Sequence, residues 1–322
     1  MTKKIKTFFE IFLQGIGLYF SNADKFLQYM FYPVFGRVLG GIIIVYSIIF
    51  YNKNLDALIV NYPVLNTPLY KNLILFVVLI PGLIVYLSAL WKYLISYASV
   101  NSMTENLLKS DRVYDFPAHN ELVTRRWFKY LCLWFLYGSI MFLTGIPIFW
   151  LIGGILLIYF TFVFQIFVFE EQLSPIDCFK KSSMYVQGNF WKLFWLITFI
   201  GGLTYCIIPQ IIYTFLNVIK VNGFLTEFIA EGIQTSSLYN LNLMLSAVNH
   251  QPVNPQNVAS IIVAILIYKI TVQMLLPLRT ICICLWYKNF CNDNDVVKIA
   301  DQKFMNRVNQ EVKRRKRNKY KD

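Results

Sequence analysis

Residues 130–169 read YLCLWFLYGSIMFLTGIPIFWLIGGILLIYFTFVFQIFVF, forty residues that include no Asp, Glu, Lys, Arg or His. A bilayer core about 30 Å thick is crossed by about 20 apolar residues in a helix, so this stretch has the length of two crossings. The triplet Gly145-Ile146-Pro147 near its middle supplies a turn. Because lipid offers no water to pair backbone groups, the stretch predicts a helical hairpin inside a membrane.

The composition of the whole chain is that of a membrane protein. Hydrophobic residues make up 57% of the 322 and charged residues only 15%, whereas soluble domains carry about 25% charged residues. The six cysteines show no CxxC spacing and no His-Cys pair at ligand spacing. This pattern favours buried, reduced thiols over a disulfide framework or a structural metal site.

The same test of length and polarity predicts an all-α membrane protein with six transmembrane helices. Their approximate ranges are 33–51, 72–92, 130–146, 148–169, 193–218 and 258–287. Residues 1–291 are predicted to form one integral membrane domain that includes an N-terminal interfacial helix. Residues 292–322 are predicted to form a cytoplasmic amphipathic and polybasic tail.

The distribution of Lys and Arg predicts the orientation, since positive charge opposes translocation of a loop. With both termini in the cytoplasm, the inner segments hold 24 of these residues and the outer loops hold three. The sequence therefore predicts a multi-pass protein of the cell (inner) membrane with both termini cytoplasmic. The net charge of +13 then reflects this bias and a basic tail, and does not indicate specific nucleic-acid binding.

Two amphipathic helices are predicted to lie on the inner membrane surface. The first has an apolar face at helical spacing, formed by Phe8, Phe12, Gly15 and Tyr19. Glu10 and Gln14 interrupt its apolar run, which favours an uncleaved surface helix over the alternative of a cleaved signal peptide. The second begins with Ser174 as cap and Pro175 at the first helical position. Its predicted apolar face is Ile176, Phe179, Ser183 and Val186, with Lys180 and Lys181 on another face.

Two pairs of predicted helices share a local pattern. Ile80-Pro81 is followed by Leu90-Trp91-Lys92-Tyr93, and Leu276-Pro277 is followed by Leu285-Trp286-Tyr287-Lys288. This similarity indicates a parallel repeat of helices 1–2 and 5–6, with a pseudo-axis along the membrane normal. Chance similarity among apolar segments is the alternative.

Two motifs lie in the second half of the chain. The first is EEQLSPIDCFKKS at 170–182, continued by GNFWKL at 188–193, and the second is LPLR at 276–279 with YKNF at 287–290. These residues resemble the six-helix membrane domain attached to some glycerophosphodiester phosphodiesterases and its bacterial stand-alone relatives. The resemblance implies a six-helix fold and an anchoring or accessory role. The soluble phosphodiesterase domain does not occur in this sequence, so its chemistry is not carried over.

The residues give no sign of a catalytic or metal-binding site. With two histidines in the chain, His119 and His250, a histidine-box oxygenase or a histidine-rich zinc site is excluded. No Walker loop, GxSxG elbow or dinucleotide fingerprint occurs. The densest polar cluster is Asp111, Asp115, His119 and Glu121. Because Pro117 is expected to break a helix there, the cluster is interpreted as a solvated connector, and no catalytic residue, metal or cofactor is predicted.

Three cations fall inside the predicted spans, where no Asp or Glu is available to pair with them: Arg37, Lys269 and Arg279. An unpaired ammonium at mid-depth costs roughly 3 kcal/mol on insertion scales. These residues are therefore candidates for binding an anionic group such as a lipid phosphate. For Lys269 the alternatives are an internal polar cleft and snorkelling of the side chain to the outer surface.

The basic cluster of the tail is Lys313, Arg314, Arg315, Lys316 and Arg317. Such a cluster beside a membrane attracts anionic lipid at about 1 kcal/mol per charge. The predicted partners are the lipid bilayer and anionic lipids, with a protein partner at the cytoplasmic face as an alternative. The oligomeric state is left open.

Three classes of function are compatible with the sequence. A non-enzymatic inner-membrane protein with an envelope or complex-subunit role fits the lack of motifs and the surface helices. A transporter or lipid-handling protein fits the repeat and Lys269. A membrane enzyme fits least, because a catalytic base or metal site is not evident.

Overall fold

The computed structural model describes residues 8–110, 116–233, 242–243, 246 and 252–293. Within these residues every regular element is helical, as predicted. The helices are α1 (Phe8–Ser21), α2 (Ala23–Asn61), α3 (Pro68–Ser110), α4 (Phe116–Thr124), α5 (Trp127–Thr144), α6 (Trp150–Tyr159), α7 (Val163–Phe169), α8 (Pro175–Val186), α9 (Phe190–Gly201), α10 (Ile208–Val218), α11 (Val221–Gly232), α12 (Pro255–Met274) and α13 (Leu276–Asp293).

Six stretches within the described residues are long and apolar enough to cross a membrane. They are Ala23–Asn61, Pro68–Lys109, Trp127–Thr144, Pro147–Phe169, Phe190–Val218 and Pro255–Cys291. The protein is therefore a polytopic, all-α membrane protein, and the predicted fold class is confirmed. The described residues form two compact units, one from the ranges 1–197 and 277–322 and one from 198–276. We call them unit 1 and unit 2.

Helices α2 and α3 form the framework of unit 1 and approach each other closely at three glycines. A Cβ atom added to Gly40 would lie 2.6 Å from the backbone nitrogen of Tyr86, and one on Gly82 would lie 2.9 Å from the nitrogen of Ile44. A Cβ on Gly36 would lie 2.9 Å from that of Ala89. Small residues let two membrane helices bring their backbones together, so these glycines set the spacing of the hairpin.

The half of α3 that follows Lys92 is longer than predicted and is polar, yet it lies in the protein core. Its buried polar residues are Ser96, Ser99, Asn101, Ser102 and Thr104. Helices α4 and α7 pack against this part of α3. Local bonds satisfy part of its polarity, such as the one from Thr104 Oγ1 to the carbonyl of Val100 at 2.7 Å. Protein packing, and not lipid, therefore sets the length of α3.

The predicted hairpin at 130–169 is confirmed, but its second arm is interrupted. Helix α6 ends at Tyr159 and α7 begins at Val163. Ser182 of α8 forms hydrogen bonds with the backbone at this break. Its hydroxyl donates to the carbonyl of Tyr159 at 2.8 Å and accepts from the backbone N–H of Phe162 at 3.2 Å. A buried side chain from another helix thus pairs backbone groups that the break would leave open.

Replacing Ser182 by Ala is expected to cost about 2 kcal/mol of unfolding free energy, because buried backbone groups would lose their partner. Ser182 is fully buried, whereas the adjacent Ser183 is partly exposed. Ser183→Ala is therefore the matched control and is expected to change stability little. Urea unfolding in detergent, followed by tryptophan fluorescence, measures both variants. Equal midpoints for the two would refute the role of Ser182.

Helix α1 has the predicted apolar face, and this face packs on protein. Phe12, Gly15 and Tyr19 are buried as expected, and the side chain of Phe8 lies outside the described part. Gly15 packs directly on α13, because a Cβ atom there would overlap the Sγ of Cys282. Helix α1 is therefore packed against protein on this face, and its location on the inner membrane surface stays a prediction.

Gly15→Ala is expected to lower the unfolding free energy by about 1–3 kcal/mol through overpacking. Adding Cys282→Ala should restore stability, since the next nearest atoms of Cys282 are 3.6 and 3.7 Å away. Gly17 has no atom within 4 Å of its would-be Cβ, so Gly17→Ala should not destabilise the protein. Thermal unfolding of the four proteins tests this pattern, which a missing rescue by Cys282→Ala would contradict.

In α8 the start is confirmed, and the predicted faces are right for Phe179 and Val186, which are buried, and wrong for Ile176 and Lys181. Ser174 accepts a hydrogen bond from the backbone N–H of Asp177 at 3.2 Å, and Pro175 is the first residue of the helix. However, Lys181 is 3% exposed, whereas Ile176 is 58% exposed. The helix buries Lys181 because a carboxylate partner lies in the core, and it leaves Ile176 outside.

Unit 2 contains α10, α11 and α12, with α10 and α11 packed on α12. A π-helical turn, Gly202–Ile207, precedes α10. Lys220 adopts φ 61° and turns the chain from α10 into α11. The segment after Lys220 thus begins with a helix, whose Phe224 and Phe228 are exposed one turn apart.

The two prolines behind the predicted repeat have different local settings. Pro81 lies inside α3, which continues past it. Pro277 is the second residue of α13, directly after α12 has ended at Met274. A proline is tolerated at a helix start because its missing N–H is not needed there. The parallel repeat of helices 1–2 and 5–6 stays a prediction.

Candidate polar site in unit 1

A buried ion pair joins α8 to the end of α7. Lys181 Nζ lies 2.6 Å from Oε2 of Glu170, and the hydroxyl of Tyr287 donates to Oε1 of the same carboxylate at 3.1 Å. Lys181 is 3% exposed and Tyr287 is 4% exposed. Both carboxylate oxygens are therefore engaged, which is the condition under which a charged pair is tolerated away from water.

Local chain geometry brings these residues together. Glu170 directly follows the last residue of α7, and a short turn then leads to α8 at Pro175. Lys181 lies on the second turn of α8 and faces back towards Glu170. Tyr287 comes from α13, more than a hundred positions later. The two motifs that carry the family resemblance are thus in contact, which their positions in the sequence did not indicate.

Next to this pair is a polar cavity of about 500 Å³. Its lining residues include Ser102, Glu105, Glu171, Tyr287, Lys288 and Cys291. Glu105 lies 3.1 Å from both Lys109 and Lys288, and the ammonium of Lys288 stands 5.0 Å from the ring centre of Phe169. The cavity therefore carries charges of both signs, arranged as a bridge between α3 and α13.

His119 lies behind this cavity and is buried. Its Nδ1 is 2.9 Å from the hydroxyl of Ser102, and the residue is 3% exposed. The interpretation of this region as a solvated connector is therefore wrong for His119, because Pro117 is the second residue of α4 and does not break it, and α4 packs on α3. Glu121 is exposed and pairs with Arg125 at 2.8 Å. The remaining members of the predicted cluster, Asp111 and Asp115, lie outside the described residues.

Arg126 connects the start of α5 to the end of α7. Its guanidinium donates to the carbonyls of Phe167 at 2.8 Å and Glu171 at 3.1 Å, and it stacks 4.2 Å from the ring centre of Phe167. Burial lowers the pKa of Arg126, and the charge of Glu171 opposes this. A cation beside the last carbonyls of a helix is favourable. In the sequence Arg126 is one of several loop charges, and nothing there indicates this role.

Arg37, the first candidate anion-binding residue, lies against protein groups. Its Nε donates to the carbonyl of Pro33 at 3.1 Å, and its guanidinium lies 3.8 Å from the ring centre of Tyr93. Its Nη2 is buried and finds no hydrogen-bond partner among the described residues. The cation–π contact gives Arg37 a role in joining α2 to α3.

Arg279 and Lys269 have opposite environments. Arg279 is 8% exposed in α13. Burial raises the pKa of Tyr19 in α1, and the positive charge of Arg279 partly opposes this effect. Lys269 is exposed on α12, and the choice between an internal cleft and snorkelling stays open. Anion binding by either residue stays a prediction, and the tail cluster at 313–317 lies outside the described residues.

The cysteines are free and differ in exposure. Cys178, Cys282 and Cys284 are buried, Cys132 and Cys291 are half-buried, and Cys206 is exposed. Burial, followed by the charges of Glu170 and Asp177, raises the pKa of the Cys178 thiol to about 12. The thiol is then protonated at neutral pH, so Cys178 is a packing residue and not a nucleophile.

No protein-family model, curated protein or solved structure matches the chain. The relation to the membrane domain attached to glycerophosphodiester phosphodiesterases therefore rests on the two motifs alone. In the structure the two motifs are in contact through Glu170, Lys181 and Tyr287.

Proposed function

We propose that this protein is a non-enzymatic, multi-pass protein of the cell (inner) membrane with an envelope or complex-subunit role. One observation carries the proposal: three cationic side chains of unit 1 join helices. Lys181 joins α8 to α7, Lys288 joins α13 to α3, and Arg126 joins α5 to α7. Groups used in this way stabilise a fixed scaffold, which is what a structural subunit needs.

The proposal includes membership of the stand-alone relatives of the six-helix domain attached to glycerophosphodiester phosphodiesterases. The contact between the two motifs supports it, since residues 170–182 and 287–290 meet at one buried ion pair. In that family the membrane domain has an anchoring or accessory role. Anionic lipids and a protein at the cytoplasmic face are the proposed partners.

Removing charges at the polar cavity beside Glu171 tests whether the protein is a scaffold or an enzyme. The double variant Glu105→Gln with Lys288→Gln removes both charges of the bridge together, and Glu171→Gln removes the exposed charge at the cavity. In cells lacking the parent gene, a scaffold should restore envelope integrity with each variant in proportion to its folded amount. Complete loss of rescue by Glu171→Gln at parental abundance would indicate catalysis or ligand binding at the cavity and would overturn the proposal.

The proposed orientation is tested by thiol labelling. In a background in which Cys132, Cys206 and Cys291 are Ala, Asn66→Cys should react with an impermeant maleimide outside intact cells, and Gln187→Cys only after permeabilisation. Asn66 is exposed between α2 and α3, and Gln187 is exposed at the end of α8. Labelling of position 187 in intact cells would show that this position is outside and would contradict the proposed orientation.

A lipid-handling protein is the second candidate, and one observation favours it. An apolar groove of about 850 Å³ lies among α3, α5 and the start of α8. Its volume is within the range of about 300–1,000 Å³ that ligand sites occupy. Lipid co-purifying in a fixed ratio to protein, and exchanging between vesicles in its presence, would distinguish handling of lipid from a purely structural role.

A further inference from the structure

The apolar groove is built from three walls of unit 1. Its lining includes Leu94 of α3, Leu131, Cys132 and Phe135 of α5, and Pro175 and Ile176 of α8. Phe135 is 76% exposed and Ile176 is 58% exposed. The groove is thus a wide apolar depression that the chain itself leaves uncovered.

We propose that this groove holds an acyl chain of one anionic phospholipid taken from the cytoplasmic leaflet. The level of the groove supports this occupant. Leu131 lies in the first two turns of the span that begins at Trp127, at its predicted cytoplasmic end, and Leu94 follows the predicted inner end of the second span. At this depth the available apolar partner is the hydrocarbon of the inner leaflet.

Two exposed lysines share helix faces with residues that line the groove. Lys129 precedes Cys132 by three residues on α5, and Lys180 follows Ile176 by four on α8, so each lysine shares a helix face with a lining residue. Both lysines are exposed. Lys180 has only a loose ion pair, with Nζ 3.9 Å from Oδ1 of Asp177. Two exposed ammonium groups beside an apolar slot fit a lipid phosphate whose chain enters the slot.

This inference rests on the membrane location and the proposed orientation, and not on the structural role proposed above. A specific lipid differs from the general lipid coat in two ways: it stays bound during purification, and it is chosen by charge. Both properties can be measured on the full chain in mild detergent. The probes are phosphatidylglycerol and phosphatidylcholine, added to delipidated protein and counted by native mass spectrometry.

The parent protein is expected to retain one phosphatidylglycerol. Filling the groove with Cys132→Phe should weaken binding at least tenfold, whereas Cys206→Phe, at an exposed cysteine elsewhere, should bind like the parent. Because Cys132 is half-buried, Ile176→Trp provides a second filling variant at an exposed position. Met184→Trp, on the same helix and 37% exposed, is its control.

The headgroup part is tested by Lys129→Gln with Lys180→Gln. Loss of two charges should reduce the preference for phosphatidylglycerol over phosphatidylcholine by about 25-fold. Lys192→Gln, at an exposed lysine of α9, should leave the preference unchanged. Equal retention of both lipids by the parent, or undiminished binding in both groove-filling variants, would overturn the inference. Neither result bears on envelope rescue, so failure here is distinguishable from failure of the proposed function.

Discussion

Lys181→Met is expected to destabilise the protein by about 3–5 kcal/mol, because removing one member of a buried ion pair leaves the other charge uncompensated. Glu170 would retain only the hydroxyl of Tyr287, which lies 3.1 Å away. The side chain of Glu170 is 22% exposed, so water could replace the ammonium only in part. Urea unfolding in detergent would show the loss as a lower midpoint with an unchanged slope.

Two further variants make this result specific. Lys180→Met removes a neighbouring charge whose side chain is 64% exposed, and surface ion pairs contribute about 0–1 kcal/mol. Adding Glu170→Gln to Lys181→Met removes the stranded charge and should recover most of the lost stability. If Lys181→Met unfolds at the same urea concentration as Lys180→Met, the buried pair does not stabilise the fold.

The membrane spans could be predicted because a bilayer imposes a simple rule of length and polarity. That rule gives the hairpin at 130–169 and its turn close to their observed positions. It fails for the second half of α3, which runs on to Ser110. Residues there are buried by other helices and mix polar with apolar side chains, so a hydropathy test ends the span at Lys92.

Helix α8 shows a second limit of the sequence. Its own periodicity cannot distinguish Lys180 from Lys181, since both are lysines in a helix with apolar and polar faces. What distinguishes them is Glu170, which lies in a different element. Ser182 has the same property, because its partners belong to the break between α6 and α7. A face that is defined by partners elsewhere in the fold requires the tertiary structure.

The candidate site could be located in sequence only in part. The resemblance pointed to 170–182 and 287–290, which do meet, but it assigned no roles to their residues. Arg126 gave no signal, since a loop arginine is common, and His119 was noticed in a polar cluster but its burial was not predicted. The close contact of α2 and α3 was not predicted, although Gly36 and Gly40 form a GxxxG pattern in an apolar helix, a pattern typical of tightly packed membrane helices.

Gly40→Leu is therefore expected to disrupt the α2–α3 hairpin and to lower the unfolding free energy by about 3 kcal/mol. The new side chain would clash with the backbone of α3, since a Cβ at position 40 would lie 2.6 Å from the nitrogen and 2.8 Å from the Cα of Tyr86. A side chain can rotate away from a clash, whereas two helix backbones must separate along their length. The variant should elute early or aggregate in size-exclusion chromatography, with a lowered melting temperature.

Gly41→Leu is the matched control, because it places the same side chain one residue along where no atom lies within 4 Å of the new Cβ. It raises apolarity and removes a helix glycine as Gly40→Leu does, so propensity and lipid partitioning are equal in the two variants. Only the contact with Tyr86 differs. A melting temperature for Gly41→Leu as low as that of Gly40→Leu would mean that α2 and α3 do not depend on this close approach, and that the glycines serve flexibility and not packing.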